Sequence, residues 1–337
     1  MHLLSGAASD EQANAAPTDI DASGSVTGGT PRMPHTHSST STNPLQALEL
    51  VNLTPVMERT SGRPEVLIGL IDGPVAMLHP ELNARNMREV SASVPGACSR
   101  ADSAACMHGT FVAGILSATR GSNAPAIAPN CTLLVRPIFS EAPRNNMPMP
   151  SATPEELSIA VTETVNAGAR VLNLSVALTH ASPAAERLLD ESLNYAARRG
   201  VLVIAAAGNQ GVVGSSAITA HPWVLPVIAC DWNGRPTSES NLSGSAGKRG
   251  LSAPGERITS LGADGKQHLL DGTSVATPFV TGAIALLWSE FPATSAVELR
   301  RAVTERREGR NTIVPPLLNA WAAYQVLGGT HERGKAH

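Results

Sequence analysis

Three polar residues, each beside an apolar run, carry the chemistry of this sequence. Ser274 lies in Gly272-Thr273-Ser274-Val275-Ala276-Thr277-Pro278, a small-residue turn opening an apolar run, Phe279 to Trp288, of helical length. Such a turn delivers a hydroxyl to the first turn of a buried helix, beside a free backbone N–H and the positive end of the helix dipole. A serine at its ordinary pKa is a weak nucleophile, so it needs a base and a carboxylate that orients the base. Both residue types are present. Asp72 closes Val66-Leu67-Ile68-Gly69-Leu70-Ile71, an unbroken apolar run that suits a strand covered on both faces, and open α/β sheets hold their ligands at the carboxyl ends of such strands. His108 opens His108-Gly109-Thr110 and a helix through Phe111 to Leu116. Each has a plainer reading: Asp72-Gly73 as a turn, His108 as a helix cap or surface group. Together they supply the carboxylate, base and nucleophile of acyl transfer, in the chain order Asp, His, Ser.

The elements that must position them alternate along the chain. Asn43-Pro44 begins a helix with Leu45, Leu48 and Val51 at i+3 spacing, and Pro55 should end or kink it. Strands are expected at Val66 to Ile71, Cys131 to Pro137, Arg170 to Ser175, Val201 to Ala205 and Val224 to Cys230. Helices are expected over Pro154 to Ala167 and Ala184 to Arg199, the second closed by Gly200, and over roughly 274 to 290, 295 to 307 and 317 to 327. Strands alternating with helices predict an α/β fold: a mostly parallel central sheet with helices on both faces, in three layers. Residues 1–43, rich in small and polar types, read as a disordered tail, 44–328 as one domain and 329–337 as a C-terminal tail. His35 and His37 in the first tail lack further ligands at metal-binding spacing.

Composition removes several function classes. A formal net charge of -3 argues against a nucleic-acid partner. The longest apolar run, Val275 to Trp288, is too short to span a membrane. Met1 to Asp10 has neither the basic nor the apolar region of a secretory signal, which points to the cytoplasm. There the four cysteines would be free thiols; Cys98 and Cys106, flanking a short loop before His108, would pair if the protein were exported.

The residue contexts carry a family likeness. Ile68 to Gly73, His108 to Gly114, Ala205-Ala206-Ala207-Gly208-Asn209 and Gly272 to Pro278 resemble, in order and spacing, the signature blocks of the subtilisin-like serine proteases. The resemblance covers about residues 60 to 327 and implies a subtilisin-like fold and peptide-bond hydrolysis. It implies Ser274 as nucleophile, His108 as base, Asp72 as its orienting partner, and Asn209 with the Ser274 N–H as the oxyanion site. It also implies that Leu174-Ser175-Val176 pairs with an extended peptide substrate, with Ala205 to Gly208 and Thr219 to His221, Ala220 included, as pocket walls. Here Ser175-Val176-Ala177 replaces the glycine-containing sequence of many relatives, which narrows the space near the first specificity pocket. His221 is either a wall residue or part of a His-Pro turn with Pro222.

Ile71-Asp72-Gly73-Pro74-Val75, His79-Pro80-Glu81-Leu82, Ile127-Ala128-Pro129 and Arg136-Pro137-Ile138-Phe139 are similar to the proteases that mature cyanobactin-type ribosomal peptides. Ring-forming members of that group carry a helical insertion between the Asp and His blocks. Only about 35 residues separate those blocks here, so leader removal from a precursor peptide is expected rather than cyclisation. Many subtilisins bind calcium after the His helix, but Thr119 to Pro125 holds no carboxylate, so no metal or cofactor is expected. Two other readings stay open: a general intracellular peptidase, and a catalytically silent binding protein on the same fold. An α/β-hydrolase is disfavoured, because these blocks show neither its Gly-x-Ser-x-Gly elbow nor its residue order.

Overall fold

The apolar run before Asp72 forms strand β1 (Leu67–Asp72), the third of seven parallel strands in the order β2-β3-β1-β4-β5-β6-β7. The structure is a computed structural model that describes residues 44–90, 95–141, 152–176, 182–304 and 312–334, without the side chains of 330–334. Two short helices, α1 (Pro44–Leu50) and α2 (Thr54–Met57), precede β1, and β2 (Met87–Glu89), α3 (Ala104–Ser117) and β3 (Thr132–Pro137) follow it. Next come α4 (Pro154–Asn166), β4 (Val171–Leu174), α5 (Pro183–Arg198), β5 (Leu202–Ala206), α6 (Ala217–Ala220) and β6 (Val224–Cys230). The chain continues through α7 (Gly244–Arg249), β7 (Leu251–Pro254), the antiparallel pair β8 (Ile258–Leu261) and β9 (Gln267–Leu270), then α8 (Thr273–Glu290), α9 (Ala296–Thr304) and α10 (Ala320–Gly334).

The period-two alternation of a strand builds the three layers. Ile68 and Leu70 of β1, Val171 of β4 and Leu202 and Ile204 of β5 enter one apolar cluster with α3 and α8. Ile71, Leu172, Leu174, Val203 and Ala205 enter the other with α4 and α5. The expected α/β architecture is therefore present. Helix α8 lies in the first layer with every residue from Thr273 to Ser289 buried except Ser274. A helix apolar all round belongs in a core; Ser274 stands in its first turn.

Several local expectations need correction. Pro55 starts α2 rather than ending a helix, since its missing N–H costs nothing in a first turn. The helix expected to open at His108 begins at Ala104, capped by the Ser103 hydroxyl, which accepts the Cys106 N–H at 3.1 Å. His108 thus stands in the second turn. Cys98 and Cys106 form a disulfide with Cα atoms 5.6 Å apart, which corrects the free-thiol expectation; Cys131 and Cys230 are buried thiols. Strands β2, β7, β8 and β9 and helices α6 and α7 were not anticipated, being too short to display a period. The expected tail 1–43 and most of the connection Ser140 to Pro154 lie outside the described residues. Among the described residues, no helix is long and apolar enough to cross a membrane.

Candidate active site

Asp72 ends β1 beside β4, whose Leu174 pairs with Ile71. Its carboxylate is fully buried, and Oδ1 accepts two hydrogen bonds, from Gly73 N–H at 2.6 Å and from His108 Nδ1–H at 2.7 Å. A carboxylate can only accept, so the proton sits on Nδ1 and leaves the Nε2 lone pair for Ser274, whose hydroxyl stands at 3.0 Å. Burial of His108 disfavours its charged form, but the charge of Asp72 and the hydrogen bond to it outweigh burial and hold the imidazole above its ordinary pKa. Helix α3 reaches Asp72 only because residue 109 is glycine: a Cβ there would meet the Pro74 and Gly73 carbonyl oxygens at 2.4 and 2.5 Å.

Ser274 is held from both sides. Pro278 stands four residues later inside α8 and has no N–H, so the Ser274 carbonyl lacks its helical partner. That carbonyl accepts the Ser175 hydroxyl at 3.0 Å instead. Ser175 in turn accepts from Asn173 Nδ2 at 2.8 Å, and Asn173 Oδ1 accepts from the Thr281 hydroxyl at 2.9 Å. Asn173 and Thr281 are wholly buried, so a polar relay crosses the core from β4 to α8 and fixes the backbone of Ser274.

Asn209 follows β5 and faces the same turn. Its Oδ1 accepts from the Thr273 N–H at 2.8 Å and the Thr273 hydroxyl at 2.9 Å, capping α8 in place of the side chain that Gly272 lacks. Both acceptor sites of the oxygen are taken, which leaves the Nδ2 donors to point past Gly272. A Cβ at Gly272 would stand 2.8 Å from that nitrogen, and its φ of +123° is one that side-chain-bearing residues rarely adopt. Thr273 completes the clasp by accepting the Gly208 N–H at 3.1 Å. Neither Thr273 nor the Asn173–Thr281 relay was legible in the sequence, although Pro278 inside an apolar helix signalled a carbonyl without a partner.

The other expected site residues divide. Ser175 and Gly208 join the site through the contacts above. Val176 turns its side chain into the sheet's second core. Ala177 lies outside the described residues. Ala220 is exposed, and its carbonyl, like those of Thr219 and His221, accepts from the Arg249 guanidinium. His221 is buried, accepts the Trp223 N–H at 3.2 Å and faces Asp190 at 3.7 Å, contacts that support its structural reading. Among the described residues, Cys98, Cys106 and Glu141 are clustered closely enough to hold a metal ion, but the two sulfurs are bonded to each other.

The seven-stranded parallel sheet with its covering helices agrees with the comparison to known proteins. The model of the subtilase family matches residues 63–314. The chain belongs to the subtilase family. Curated subtilases similar to it include subtilisin BL of Lederbergia lenta, 32% identical over 236 residues, 70% of this chain and 80% of that protein. The alkaline protease of Alkalihalobacillus alcalophilus is 32% identical over the same length, though this is only 57% of that protein. Among solved structures, the prenylagaramide maturation protease PagA superposes with a TM-score of 0.71 at 28% identity, covering 82% of this chain and 98% of PagA. The patellamide maturation protease PatA superposes with a TM-score of 0.66 at 29% identity, covering 80% and 98%.

Proposed function

We propose that this subtilase is a serine endopeptidase acting through an acyl-enzyme, and that it removes the leader from a ribosomally made precursor peptide. The hydrogen-bonded chain from Asp72 through His108 to Ser274 carries the reading. Ser274 attacks the scissile carbonyl while His108 Nε2 takes its proton and then returns it to the leaving amine. Asp72 stabilises the imidazolium formed between these steps. The oxyanion is bound by Asn209 Nδ2 and the Ser274 N–H at the head of α8. The likeness to maturation proteases supports a precursor substrate. The short connection from β1 to α3, where the described residues hold only β2 and one 3-10 turn, favours hydrolysis over ring closure. Similarity to subtilisins at 32% identity keeps a general peptidase as the second reading.

The test is covalent labelling of the purified protein with a fluorophosphonate, read by intact mass beside Ser274→Ala. One adduct per chain, absent from the variant, is the expected result. An unlabelled folded protein would favour the silent binding-protein reading instead. Mass spectrometry of a cognate precursor then separates linear from cyclic product.

The reading includes no calcium after α3. In that loop the Arg120 guanidinium donates to the carbonyls of Met57, Thr60 (2.8 Å) and Ile127 (3.0 Å). A cationic side chain already gathers these oxygens, and Thr119 to Pro125 itself holds no carboxylate, so this loop does not fit a divalent cation. Millimolar calcium or a chelator is expected to leave the Tm unchanged. Arg120→Ala, which strands three carbonyls, should lower stability by about 2 kcal/mol, or about 4–8 °C in Tm. Thermal unfolding checks both, and a large calcium-dependent rise in the unsubstituted protein would refute this account.

A further inference from the structure

The Cys98–Cys106 disulfide takes no part in the Asp–His–Ser chain, yet it joins the two segments that carry Asp72 and His108. Cys98 belongs to the aspartate side: its N–H donates to the Val75 carbonyl at 3.1 Å, and the Val75 N–H donates to Gly96 O at 2.9 Å. Cys106 is buried in the first turn of α3, two residues before His108. The same turn presses on the aspartate side directly, since the Ala105 carbonyl oxygen stands 2.0 Å from where a Cβ at Gly73 would be. A closed ring results, running from Asp72 through Val75 and Cys98, across the disulfide to Cys106 and His108, and back through the His108–Asp72 hydrogen bond. The Cys98 segment is also pinned by the Glu141 carboxylate, which lies within 4.8 Å of both sulfurs and accepts the N–H groups of Ser99 at 3.0 Å and Arg100 at 2.8 Å.

We propose that Cys98 and Cys106 are positioning residues for His108, and that their disulfide is a thiol-sensitive brace giving the enzyme its full rate only when oxidised. This rests on the peptidase reading above. The physical reason is crowding as much as lost connection. Two thiol sulfurs cannot remain at bonding distance, so reduction drives them apart by on the order of 1.5 Å. Neither side is free to absorb the whole displacement, since Cys98 is fastened through Val75 and its neighbours through Glu141 while Cys106 is buried in α3, so the first turn of α3 takes up part of it and carries His108 away from Asp72 and Ser274. A misplacement of about 1 Å in a catalytic group costs about a hundredfold in rate.

The covalent step is exchange with a dithiol. A thiolate of the dithiol attacks Sγ of the half-buried Cys98, the protein S–S bond breaks, and Cys106 leaves as a thiolate that takes up a proton. The dithiol's second sulfur then closes its own disulfide and frees the Cys98 thiol. Two electrons pass from dithiol to protein.

The experiment compares the oxidised full chain with the same protein after dithiothreitol, the thiol count rising from two to four. Reduction is expected to lower kcat about ten- to hundredfold with KM little changed, and to move the acid limb of kcat/KM to lower pH as the Asp72 contact loosens. The far-downfield NMR resonance of the His108 Nδ1 proton should weaken in parallel, a readout that needs no substrate. Reoxidation should restore all three, and Cys98→Ser/Cys106→Ser should behave as the reduced form whether or not reductant is present. Fluorophosphonate labelling of the oxidised protein checks the peptidase reading separately. A folded protein with four thiols that keeps its kcat, its pH limb and its Nδ1 resonance would overturn the brace.

Discussion

Asp72→Asn is expected to lower kcat by about ten-thousandfold while leaving KM nearly unchanged. The replacement keeps the shape of a side chain that is wholly buried between β1 and α3. It removes the charge that His108 faces. Asp72 Oδ1 accepts from both Gly73 N–H and His108 Nδ1–H. An amide oxygen in the same place can still accept both bonds, but it is neutral, so the imidazolium that forms when His108 takes the Ser274 proton is left without its counter-charge. The base is then weakened rather than displaced. The pH profile separates this from simple loss of structure. In the unsubstituted enzyme burial lowers the His108 pKa, but the charge and hydrogen bond of Asp72 raise it further, so the net shift is upward. Only neutral His108 can take a proton, so kcat/KM should rise with pH through a midpoint above the ordinary imidazole value of 6.5. With Asp72 neutralised, only the burial contribution remains, and the residual activity should titrate below that value. A midpoint that stays in place in Asp72→Asn would show that His108 is not the titrating base.

Asn209→Ala should lower kcat about a hundred- to thousandfold, equivalent to about 2.7–4 kcal/mol of transition-state stabilisation, again with little change in KM. The donor is valuable because it is held in advance: Oδ1 is clamped by two donors from Thr273, so Nδ2 needs no reorganisation when charge develops on the substrate oxygen. The same clamp gives the variant a second effect, since Oδ1 also caps α8. Stability should fall by about 1 kcal/mol, the usual worth of an N-cap. Asn209→Asp sharpens the test. It keeps the capping oxygen but replaces the donor with a negative charge facing the oxyanion, so it should retain stability while losing at least as much turnover. Steady-state kinetics with thermal unfolding distinguishes the two losses, and full turnover in Asn209→Ala would remove Asn209 from the oxyanion site.

The sheet and the residues at its active edge were legible in the chain because both depend on local pattern. Unbroken apolar runs of strand length recur between helical stretches, so β1, β3, β4, β5 and β6 fall within a residue or two of where the pattern puts them. Asp72 and Ser274 were readable because each sits where such a run meets a small-residue turn. His108 was readable as a residue but not in its setting: the helix begins four residues earlier, at Ala104, because Ser103 caps it, and the Cys98–Cys106 bond adjoins that turn.

Other features of the site depend on residues far apart in sequence meeting in space. Ser175 and Ser274 are separated by 99 positions, Asn173 and Thr281 by 108. Nothing local announces that a buried asparagine will receive a threonine from α8, or that Arg120 will collect carbonyls from α2 and the segment after it. Val176 shows the limit from the other direction: the sequence put it on the edge expected to pair with substrate, and only the fold shows that its side chain enters the second core. Apolar periodicity and turn chemistry act over a few residues, so they specify the elements, their order and the ends at which reactive groups stand. Unpaired polar atoms must find partners wherever the packed elements bring them, so the relay behind Ser274, the clasp on Asn209 and the disulfide beside His108 are properties of the folded chain.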